Sequence, residues 1–239
     1  MRTACATLST VTDVAPPAPG GRGQAPSFSA DELAALTGGQ LVARSARPVR
    51  GAAVDSREVR DGGLFVALPG ERTAGHRFLA DAVAHGASAL IVTRPVDEPS
   101  ALGDVTIVRV ADGLAALHAL ATAWRARFEP LVVGVTGSIA KTSTKEAIAT
   151  VLGRRYRTLR NEGNLNNEIG LPLTVLALGP EHEAAVLEMG MYVGGEIRDL
   201  ARIARPSIGV VTAVQGVHLS RIGSLDAVED AKAELVEAL

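Results

Sequence analysis

The sequence predicts an α/β protein with two units: a small α/β unit, then a mostly parallel sheet that carries helices on both faces. Two observations support this prediction. Apolar segments of strand length alternate with helical segments from Phe28 onward, and one apolar segment leads through a loop of small residues into Lys141-Thr142. Strands that alternate with helices are typical of parallel sheets covered on both faces. We expect the first unit over residues 28–110 and the second, with an incomplete sheet, over residues 111–239.

The composition indicates a globular protein and argues against several classes of function. Hydrophobic residues make up 47% of the 239 positions and charged residues 21%, and the formal net charge is −2. This balance gives no reason to expect nucleic acid or a membrane surface as a partner, and 3% of aromatic residues is too little for a base-stacking surface. No apolar run reaches the roughly 18 residues of a membrane-spanning helix. The single cysteine, Cys5, allows no intramolecular disulfide, which fits a reducing cytoplasm.

Residues 1–27 are rich in Ala, Pro, Gly, Ser and Thr. Segment 15–21 combines prolines with two glycines, which excludes a regular helix or strand. A signal peptide is the alternative, but Arg2 is the only early positive charge and no compact apolar segment follows it. We expect a disordered leader or a misassigned start.

Both units are predicted element by element from apolar runs, helix caps, and glycine or proline breaks. In the first unit, Ser29 begins a helix that ends at Thr37. The other elements of this unit are strands near 51–55, 63–68, 87–92 and 105–110, a helix over 76–85, and loops over 70–75 and 95–103. The second unit has strands over 131–135, 184–189 and 208–214, helices over 112–128, 142–152 and 196–203, and a last helix from the cap Ser224 to Leu239. The helix over 112–128 is expected to bridge the two units.

The clearest functional signal is the loop between the strand 131–135 and the helix 142–152. Small residues allow backbone N–H groups to turn inward there, and the amino end of the helix adds to the attraction for phosphate. Lys141 would reach the terminal phosphates of a nucleotide, and the Thr142 hydroxyl would ligate Mg²⁺. We therefore expect a partial P-loop-type sheet with its ligands at the carboxyl ends of the strands.

The loop matches the general pattern G-x-x-x-x-G-K-[ST] incompletely, because Val135 and Ala140 stand at the two glycine positions. If position 140 requires a positive φ, an alanine there costs about 1 kcal/mol or more. The alternative is a strand–turn–helix corner with a surface lysine.

Three further segments carry candidate ligands. Segment 161–167 holds four asparagines, for which a flexible loop ending in a helix cap is the alternative. Glu188 follows the apolar run 184–187, where a carboxylate beside a phosphate loop is placed to hold Mg²⁺ directly or through water; the alternative is a solvated strand-end glutamate. His218 follows the next strand at the same edge and would be a ligand or orienter near magnesium-bound phosphates, or a structural or exposed histidine.

Lys232 stands out on the helical wheel of the last segment. At about 100° per residue it falls within the apolar arc, with Val228 and Leu235 as neighbours, whereas the acidic residues, Glu234 among them, fall on the opposite arc. A lysine on the inward face needs a partner or a modification, because an unpaired buried charge is expensive. The alternative is a lysine at the rim that extends to water.

Taken together, these segments resemble the Mur ligase family, and in particular its MurF type. The matching segments are 54–57 and 62–72 in the first unit and 136–142, 163–172, 188–190 and 218–232 in the second. The resemblance covers about residues 28–239. It implies an ATP-dependent ligase of peptidoglycan precursor synthesis, which adds D-alanyl-D-alanine to UDP-N-acetylmuramoyl-tripeptide through an acyl phosphate.

The resemblance also implies ATP and two Mg²⁺ ions as cofactors, a cytoplasmic monomer, and roles for single residues. The catalytic residues would be Lys141, Glu188, His218 and Lys232, with Lys232 carbamylated. Magnesium would be held by Thr142, Glu188, His218 and Lys232. The nucleotide would be bound by Thr136, Gly137, Ser138, Ile139, Ala140, Lys141, Thr142, Ser143, Asn164 and Asn167. The uridine-linked substrate would be bound by Asp55, Ser56, Arg57, Asn164, Asn166 and Asn167.

The sequence departs from the family at three positions and in length. Ala140 replaces the expected loop glycine, Ala74 stands where aspartate is usual, and Ala213 stands where asparagine is usual. Family members are much longer, so we expect a fragment of a longer protein that is inactive alone.

Three other functions stay open. The nearest is another ligase of the superfamily, such as a different Mur ligase or a folylpolyglutamate synthetase, although segment 55–57 favours a UDP-linked substrate over a folate. The second is a nucleotide-binding paralogue that has lost turnover through Ala140. The third is a structural α/β interaction domain without a ligand.

Overall fold

The computed structural model describes residues 26–70, 74–216 and 224–239. Apart from Pro26 and Ser27, the predicted leader lies outside these residues, and so do Cys5 and His218. In the described ranges no helix combines the length and the apolar character that crossing a bilayer would require.

The first unit is a five-stranded sheet. Its strands are β1 (Gln40–Ala43), β2 (Ala52–Ala53), β3 (Leu64–Val66), β4 (Ala89–Val92) and β5 (Thr106–Arg109). They lie in the order β1-β5-β4-β3-β2, with β1 antiparallel to β5 and the remaining pairs parallel. Strands β3 and β4 are buried throughout, as expected where both faces are covered. The sequence does not predict β1, because its apolar run is only three residues long, 41–43, and no residue of the strand is fully buried.

Two α-helices accompany this sheet. They are α1 (Ala30–Thr37) and α2 (Leu79–Ala84). Both predicted ends of α1 are confirmed: the Ser29 hydroxyl accepts a hydrogen bond from the backbone N–H of Glu32, and Gly38 closes the helix with a left-handed φ of 62°. The predicted helix over 76–85 is partly wrong, because a 3₁₀ turn, Gly75–Phe78, precedes α2. The His76 ring holds this turn by accepting hydrogen bonds from the backbone after β4.

The second unit is a four-stranded parallel sheet. Its strands are β6 (Leu131–Thr136), β7 (Thr158–Arg160), β8 (Ala184–Glu188) and β9 (Ile208–Val211). The helices that follow the first unit are α3 (Gly113–Arg125), α4 (Lys141–Leu152), α5 (Gly170–Leu176), α6 (Glu196–Ala204) and α7 (Leu225–Glu237). The strand order is β7-β8-β6-β9.

Helices cover both faces of this second sheet, as predicted. Helix α4 packs on one face with Val133, Val135 and Val186, whereas α5, α6 and α7 share the opposite core with Val132 and Leu187. The alternation follows from the two-residue period of a strand, which sends neighbouring side chains to opposite faces.

Helix α3 joins the two units. Its buried residues belong to one continuous core with β3 and β4 on one side and with α5 and α6 on the other. Trp124 donates through its indole N–H to the carbonyl of Leu178 at 2.9 Å, and Arg125 donates to the carbonyls of Ala204 and Phe128, each at 2.7 Å. The bridging position expected for this helix is therefore observed, while the boundary between residues 110 and 111 stays a prediction.

Two elements of the second unit were not foreseen from the pattern, and one strand is shorter than expected. Strand β7 has a single apolar residue, Leu159, and owes its extended form to pairing with β8. Helix α5 is buried on nearly every side, so it lacks the alternation that identifies an amphipathic helix. Strand β9 ends at Val211 rather than at residue 214.

The inward face predicted for the last helix is confirmed for Val228, Lys232 and Leu235, all of which are buried. The outward position predicted for Glu234 is wrong. Its carboxylate is buried because it accepts hydrogen bonds from the backbone N–H groups of Gly195 at 2.6 Å and Arg198 at 2.9 Å. These are the free N–H groups at the amino end of α6, where a negative charge is favourable.

Candidate active site

The loop 137–140 connects β6 to α4 and is held from two sides. At its start the Thr136 hydroxyl donates to the carbonyl of Met189, which follows β8, at 2.9 Å. Within the loop the Ser138 N–H donates to the carbonyl of Ala213 at 2.8 Å, and the Ser138 hydroxyl accepts from the N–H of Gln215 at 2.9 Å. The loop is therefore fixed against the carboxyl ends of both strands that flank β6.

Gly137 is the position in this loop that excludes a side chain most strongly. Its φ is 147°, and a Cβ built on its backbone would lie 1.9 Å from the Thr212 hydroxyl oxygen. Thr212 cannot easily move aside, because that hydroxyl donates to the carbonyl of Ile139 at 2.6 Å. Glycine is thus required by both conformation and space.

Ala140 has the conformation that the phosphate-loop pattern assigns to its second glycine. Its φ is 61° and its ψ is 12°, in the left-handed region. Position 140 therefore does require a positive φ, and an alanine at this position is strained by about 1 kcal/mol. Ala140 is also the N-cap of α4 and offers no side-chain cap, so no capping side chain blocks an anion from the first N–H groups of that helix.

Lys141 and Thr142 open α4 beside the carboxyl end of β8. The Lys141 ammonium donates to the carbonyl of Gly137 at 2.8 Å, so its positive charge lies beside the first residue of the loop. The Thr142 hydroxyl donates to Oε2 of Glu188 at 2.9 Å. The start of α4 is thus tied to the neighbouring strand through Thr142, while the role of Lys141 at phosphate stays a prediction.

Glu188 is only 2% exposed, so the alternative of a solvated strand-end glutamate is wrong. Its other oxygen, Oε1, accepts from the Asn166 side-chain amide at 2.8 Å. The parallel register that pairs Val135 with Glu188 places this carboxylate beside the phosphate loop. A carboxylate and a hydroxyl oxygen, completed by phosphate oxygens and water, are the ligands that Mg²⁺ prefers, so the residues present fit that ion.

Two buried residues of this site have no assigned role in the sequence-based prediction: Lys145 is missing from it, and Asn161 appears only as one of the four asparagines of segment 161–167. Lys145 is 0% exposed and lies within 4.0 Å of Oε2 of Glu188. Asn161 is also 0% exposed, and its side chain accepts from the Glu188 N–H at 2.9 Å and donates to the Glu188 carbonyl at 3.0 Å. A signal for Lys145 was available, since it stands four residues before Ala149 and shares the inward face of α4.

The other asparagines of segment 161–167 differ in what they contact. Asn166 contacts Glu188, whereas Asn167 accepts from the backbone N–H of Gly170, the first residue of α5, at 2.8 Å. Asn164 is exposed. The segment is held by these contacts and by Asn161, which argues against the flexible-loop alternative.

Lys232 is buried, with 3% of the residue exposed, as its place on the inward face of the helix predicts. In the described part of the chain no side chain or carbonyl accepts a hydrogen bond from its ammonium group. Burial, and secondarily the positive charge of Lys141, lowers the pKa of Lys232 to about 8. A neutral amine is therefore accessible near physiological pH.

A cavity of about 180 Å³ opens beside Lys141, between the phosphate loop, α3 and α6. Asn166 and Asn167 line one wall, and His118 and Glu196 lie on the helices opposite. The lining therefore combines the ammonium of Lys141 with the carboxylates of Glu168, Glu196 and Asp199.

The predicted uridine-binding residues lie in the first unit, after β2. The Asp55 carboxylate accepts from the N–H and Nε of Arg57 at 3.0 and 2.9 Å, and this guanidinium lowers the pKa of Asp55 to about 2. Ser56 is buried, and its hydroxyl donates to the carboxylate of Asp81. In the residues described, no hydrogen bond or ion pair links this trio to the phosphate loop.

His218 and segments 71–73 and 218–223 lie outside the described residues. Ala74 begins the 3₁₀ turn Gly75–Phe78 without the side-chain cap that an aspartate would supply. Across the described ranges, no three side chains of His, Cys, Asp or Glu come together as a ready metal cage.

Two family models match the chain. The Mur ligase middle domain matches residues 135–239, and the model described as the Mur ligase family, catalytic domain, matches residues 48–125. A UDP-N-acetylmuramoyl-tripeptide--D-alanyl-D-alanine ligase of Synechocystis sp. is 44% identical over 183 residues, which are 76% of this chain and 40% of the relative. The ligase of the same name from Bacillus subtilis is 42% identical and covers 80% of this chain and 41% of its own length.

Solved structures agree with these relatives. MurF from Acinetobacter baumannii superposes with a TM-score of 0.80 at 33% identity, covering 90% of this chain and 47% of that one. MurF from Thermotoga maritima, solved with ADP, gives 0.70 at 35% identity and covers 79% and 43%. The chain thus spans less than half the length of the relatives and structures it matches. From its two domain matches, its sequence relatives and its fold, the chain belongs to the Mur ligase family and carries that family's N-terminal and middle domains.

Proposed function

We propose that this chain supplies the ATP-binding and uridine-substrate-binding parts of a MurF-type ligase, which joins D-alanyl-D-alanine to UDP-N-acetylmuramoyl-tripeptide. The observation that supports it most is the hydrogen bond between Thr142 and Glu188, which joins a phosphate loop to a buried carboxylate at one edge of the sheet. The names of its sequence relatives point to the same reaction.

In this reaction the terminal carboxylate of the tripeptide would take the γ-phosphoryl group of ATP, and ADP would leave. The amine of D-alanyl-D-alanine would then attack the acyl carbon, lose a proton, and form the amide as inorganic phosphate departs. Lys141 would offset the negative charge that gathers on the transferred group. Bound Mg²⁺ would supply further positive charge to offset the negative charge of the phosphate groups.

The metal ligands on this chain would be the Thr142 hydroxyl and Glu188, with His218 and Lys232 at a second ion. For Lys232 we propose carbamylation: the neutral amine nitrogen attacks carbon dioxide, loses a proton and becomes an anionic carbamate. Its burial, its lowered pKa and the lack of an acceptor among the described residues support this role.

The first unit would hold the uridine nucleotide through segment 55–57, and the cleft between the units would be lined by Asn164, Asn166 and Asn167. Arg57 is the exposed member of the trio and would contact a diphosphate once Asp55 releases it. The Ser56 hydroxyl would have to turn away from Asp81 to contact the substrate. A cytoplasmic monomer remains the expected form.

The test is ADP release by the protein expressed from its complete reading frame, with ATP, UDP-N-acetylmuramoyl-tripeptide and the dipeptide. We expect release that depends on both the tripeptide and D-alanyl-D-alanine. No stimulation by the dipeptide would contradict the MurF assignment, and stimulation by a free amino acid in its place would indicate a different ligase of the family.

One alternative is favoured by a specific observation. The left-handed Ala140 strains the phosphate loop, which fits a paralogue that binds nucleotide without turning it over. ATP binding without ADP release, followed by release in the Ala140→Gly variant, would establish that reading. No change of melting temperature with Mg-ATP would instead favour an interaction domain without a ligand.

A further inference from the structure

Lys145 is among the largest side chains of the described chain that are completely buried, and it is the charged one among them. It lies on α4 one turn after Lys141, but on the face that packs against the sheet. Burying an ammonium group is costly unless it is paired. The family resemblance assigns no role to this position, and the proposed reaction does not use it.

The contacts of Lys145 connect it to Glu188 in two ways. Its ammonium donates to the carbonyl of Asn161 at 2.6 Å, and the Asn161 side chain in turn holds the N–H and the carbonyl of Glu188. Its Nζ also lies 4.0 Å from Oε2 of Glu188. Lys145 therefore acts on both the backbone and the charge of that residue.

Glu146 is the second carboxylate near Lys145, and its charge depends less on Lys145 for compensation. Glu146 lies 3.1 Å from the Lys145 ammonium, but its side chain is 42% exposed and it also pairs with Arg160 at 3.0 Å. Glu188, by contrast, is buried, and among the described residues Lys145 is the cation within ion-pair range of it.

The distance of 4.0 Å matters for metal binding. It is too long for a hydrogen bond, so Lys145 balances the charge of Glu188 without occupying an oxygen lone pair. Those oxygens accept instead from two neutral groups, the Thr142 hydroxyl and the Asn166 amide. A divalent cation that binds Glu188 therefore has to displace only these neutral donors from the carboxylate oxygens, and no ammonium group.

We propose that Lys145 is a positioning residue: it balances the buried charge of Glu188 from behind and holds the end of β8 through Asn161, so that Glu188 faces the phosphate loop ready for a divalent cation. This inference rests on the proposed role of Glu188 at magnesium. Lys145 itself contacts neither nucleotide nor metal.

A double-mutant cycle on melting temperature tests the coupling without any ligand. Lys145→Met leaves Glu188 buried without a cation, and we expect the melting temperature to fall by about 10 °C. Adding Glu188→Gln removes that uncompensated charge, so the double variant should melt above Lys145→Met alone. Losses that simply add would overturn the inference. Lys145→Gln, which can still donate to Asn161, carries the same cycle if Lys145→Met does not fold.

Magnesium dependence gives the second readout. ADP binding is followed by calorimetry at increasing Mg²⁺, and once with a chelator and no Mg²⁺. Lys145→Met should raise the Mg²⁺ concentration for half-maximal effect about tenfold while leaving the metal-free ADP affinity unchanged. Lys145→Arg should recover most of this loss.

Glu146→Gln is the matched control, because it removes the other carboxylate contact of Lys145 and leaves Glu188 in place. We expect it to change the Mg²⁺ requirement by less than about twofold. An equal shift in Glu146→Gln and Lys145→Met would overturn the inference. If the unsubstituted chain binds ADP with no Mg²⁺ dependence, the proposed function fails, and the melting cycle still decides whether Lys145 and Glu188 are coupled.

Discussion

The two regions predicted to bind nucleotides treat their charged residues in opposite ways. At the corner between β6 and α4, the carboxylate of Glu188 and the ammonium of Lys145 are both buried. The carboxylate accepts from two neutral donors, and the ammonium donates to the carbonyl of Asn161. In segment 55–57, Asp55 and Arg57 pair with each other at the surface. The first arrangement is preorganised, since its groups cannot relax into water, whereas the second must open before it can contact a ligand. Changes at the corner should therefore affect chemistry and stability, and changes at the surface pair mainly affinity.

The largest effect is expected at Lys141. Lys141→Met would remove the cation that we propose beside the transferred phosphoryl group, so kcat for ADP release by the protein from its complete reading frame should fall about a thousandfold. Steady-state kinetics with the tripeptide substrate measure this. Arg57→Met is the matched change in the other region and should raise KM for the UDP-linked substrate about tenfold with kcat nearly unchanged. Equal losses of kcat would contradict the comparison.

The next effect concerns Gly137. Gly137→Ala places a methyl group against the Thr212 hydroxyl and should lower the free energy of unfolding by about 3 kcal/mol, measured by urea denaturation. Gly51→Ala in the first unit is the control, because Gly51 also has a positive φ, 65°, but has nothing within 4 Å of the added Cβ. It should cost only about 1 kcal/mol. Equal costs would show that the contact with Thr212 does not demand glycine.

Lys232, which is buried near the corner between β6 and α4, should make the free energy of unfolding of the chain depend on pH. Its pKa is lowered to about 8 in the folded chain from an ordinary value of 10.5, so between these values the unfolded chain binds more protons. The free energy of unfolding should therefore rise with pH through this window, by on the order of 2 kcal/mol relative to Lys232→Met. Urea denaturation in buffers free of carbon dioxide measures it. Parallel pH curves for the two proteins would refute the buried, uncarbamylated amine.

The smallest effect is expected at Ala140. Ala140→Gly relieves the left-handed strain and should raise the free energy of unfolding by about 0.5–1 kcal/mol. Arg205→Gly, at the other non-glycine residue with a positive φ in the described ranges, should give a similar gain. Only Ala140→Gly should also change the affinity for Mg-ATP, because only that residue lies in the phosphate loop. A change of ATP affinity in both variants would point to a general effect of stability.

Local sequence signals predicted the parts of the molecule that depend on local chemistry. The helix start at Ser29, the turn from β6 into the helix that Lys141 begins, and the inward face of Lys232 all follow from local spacing along the chain, and the structure has each of them where it was expected. The predicted roles of these residues in binding and catalysis stay predictions.

Contacts between distant segments were beyond the same reasoning. Asn161 reads as a loop residue, and its burial arises from its hydrogen bonds to β8. Glu234 sits on the acidic arc of its own helix, and only the free N–H groups of α6 draw it inward. Lys145 carries a charge in an apolar stripe, which signals a partner but does not identify Glu188.

The position of α3 has a mechanical consequence for the whole chain. Leu117, Leu120 and Trp124 are buried in a core that both units share, so neither unit is a free-standing module. Cutting the chain on either side of this helix would expose apolar surface on both pieces. Heating should therefore unfold the two sheets together in one cooperative transition, which calorimetry would measure. Any movement of one unit relative to the other would have to occur by sliding of the packed surfaces along α3, because this packed helix joins the units in place of a free linker.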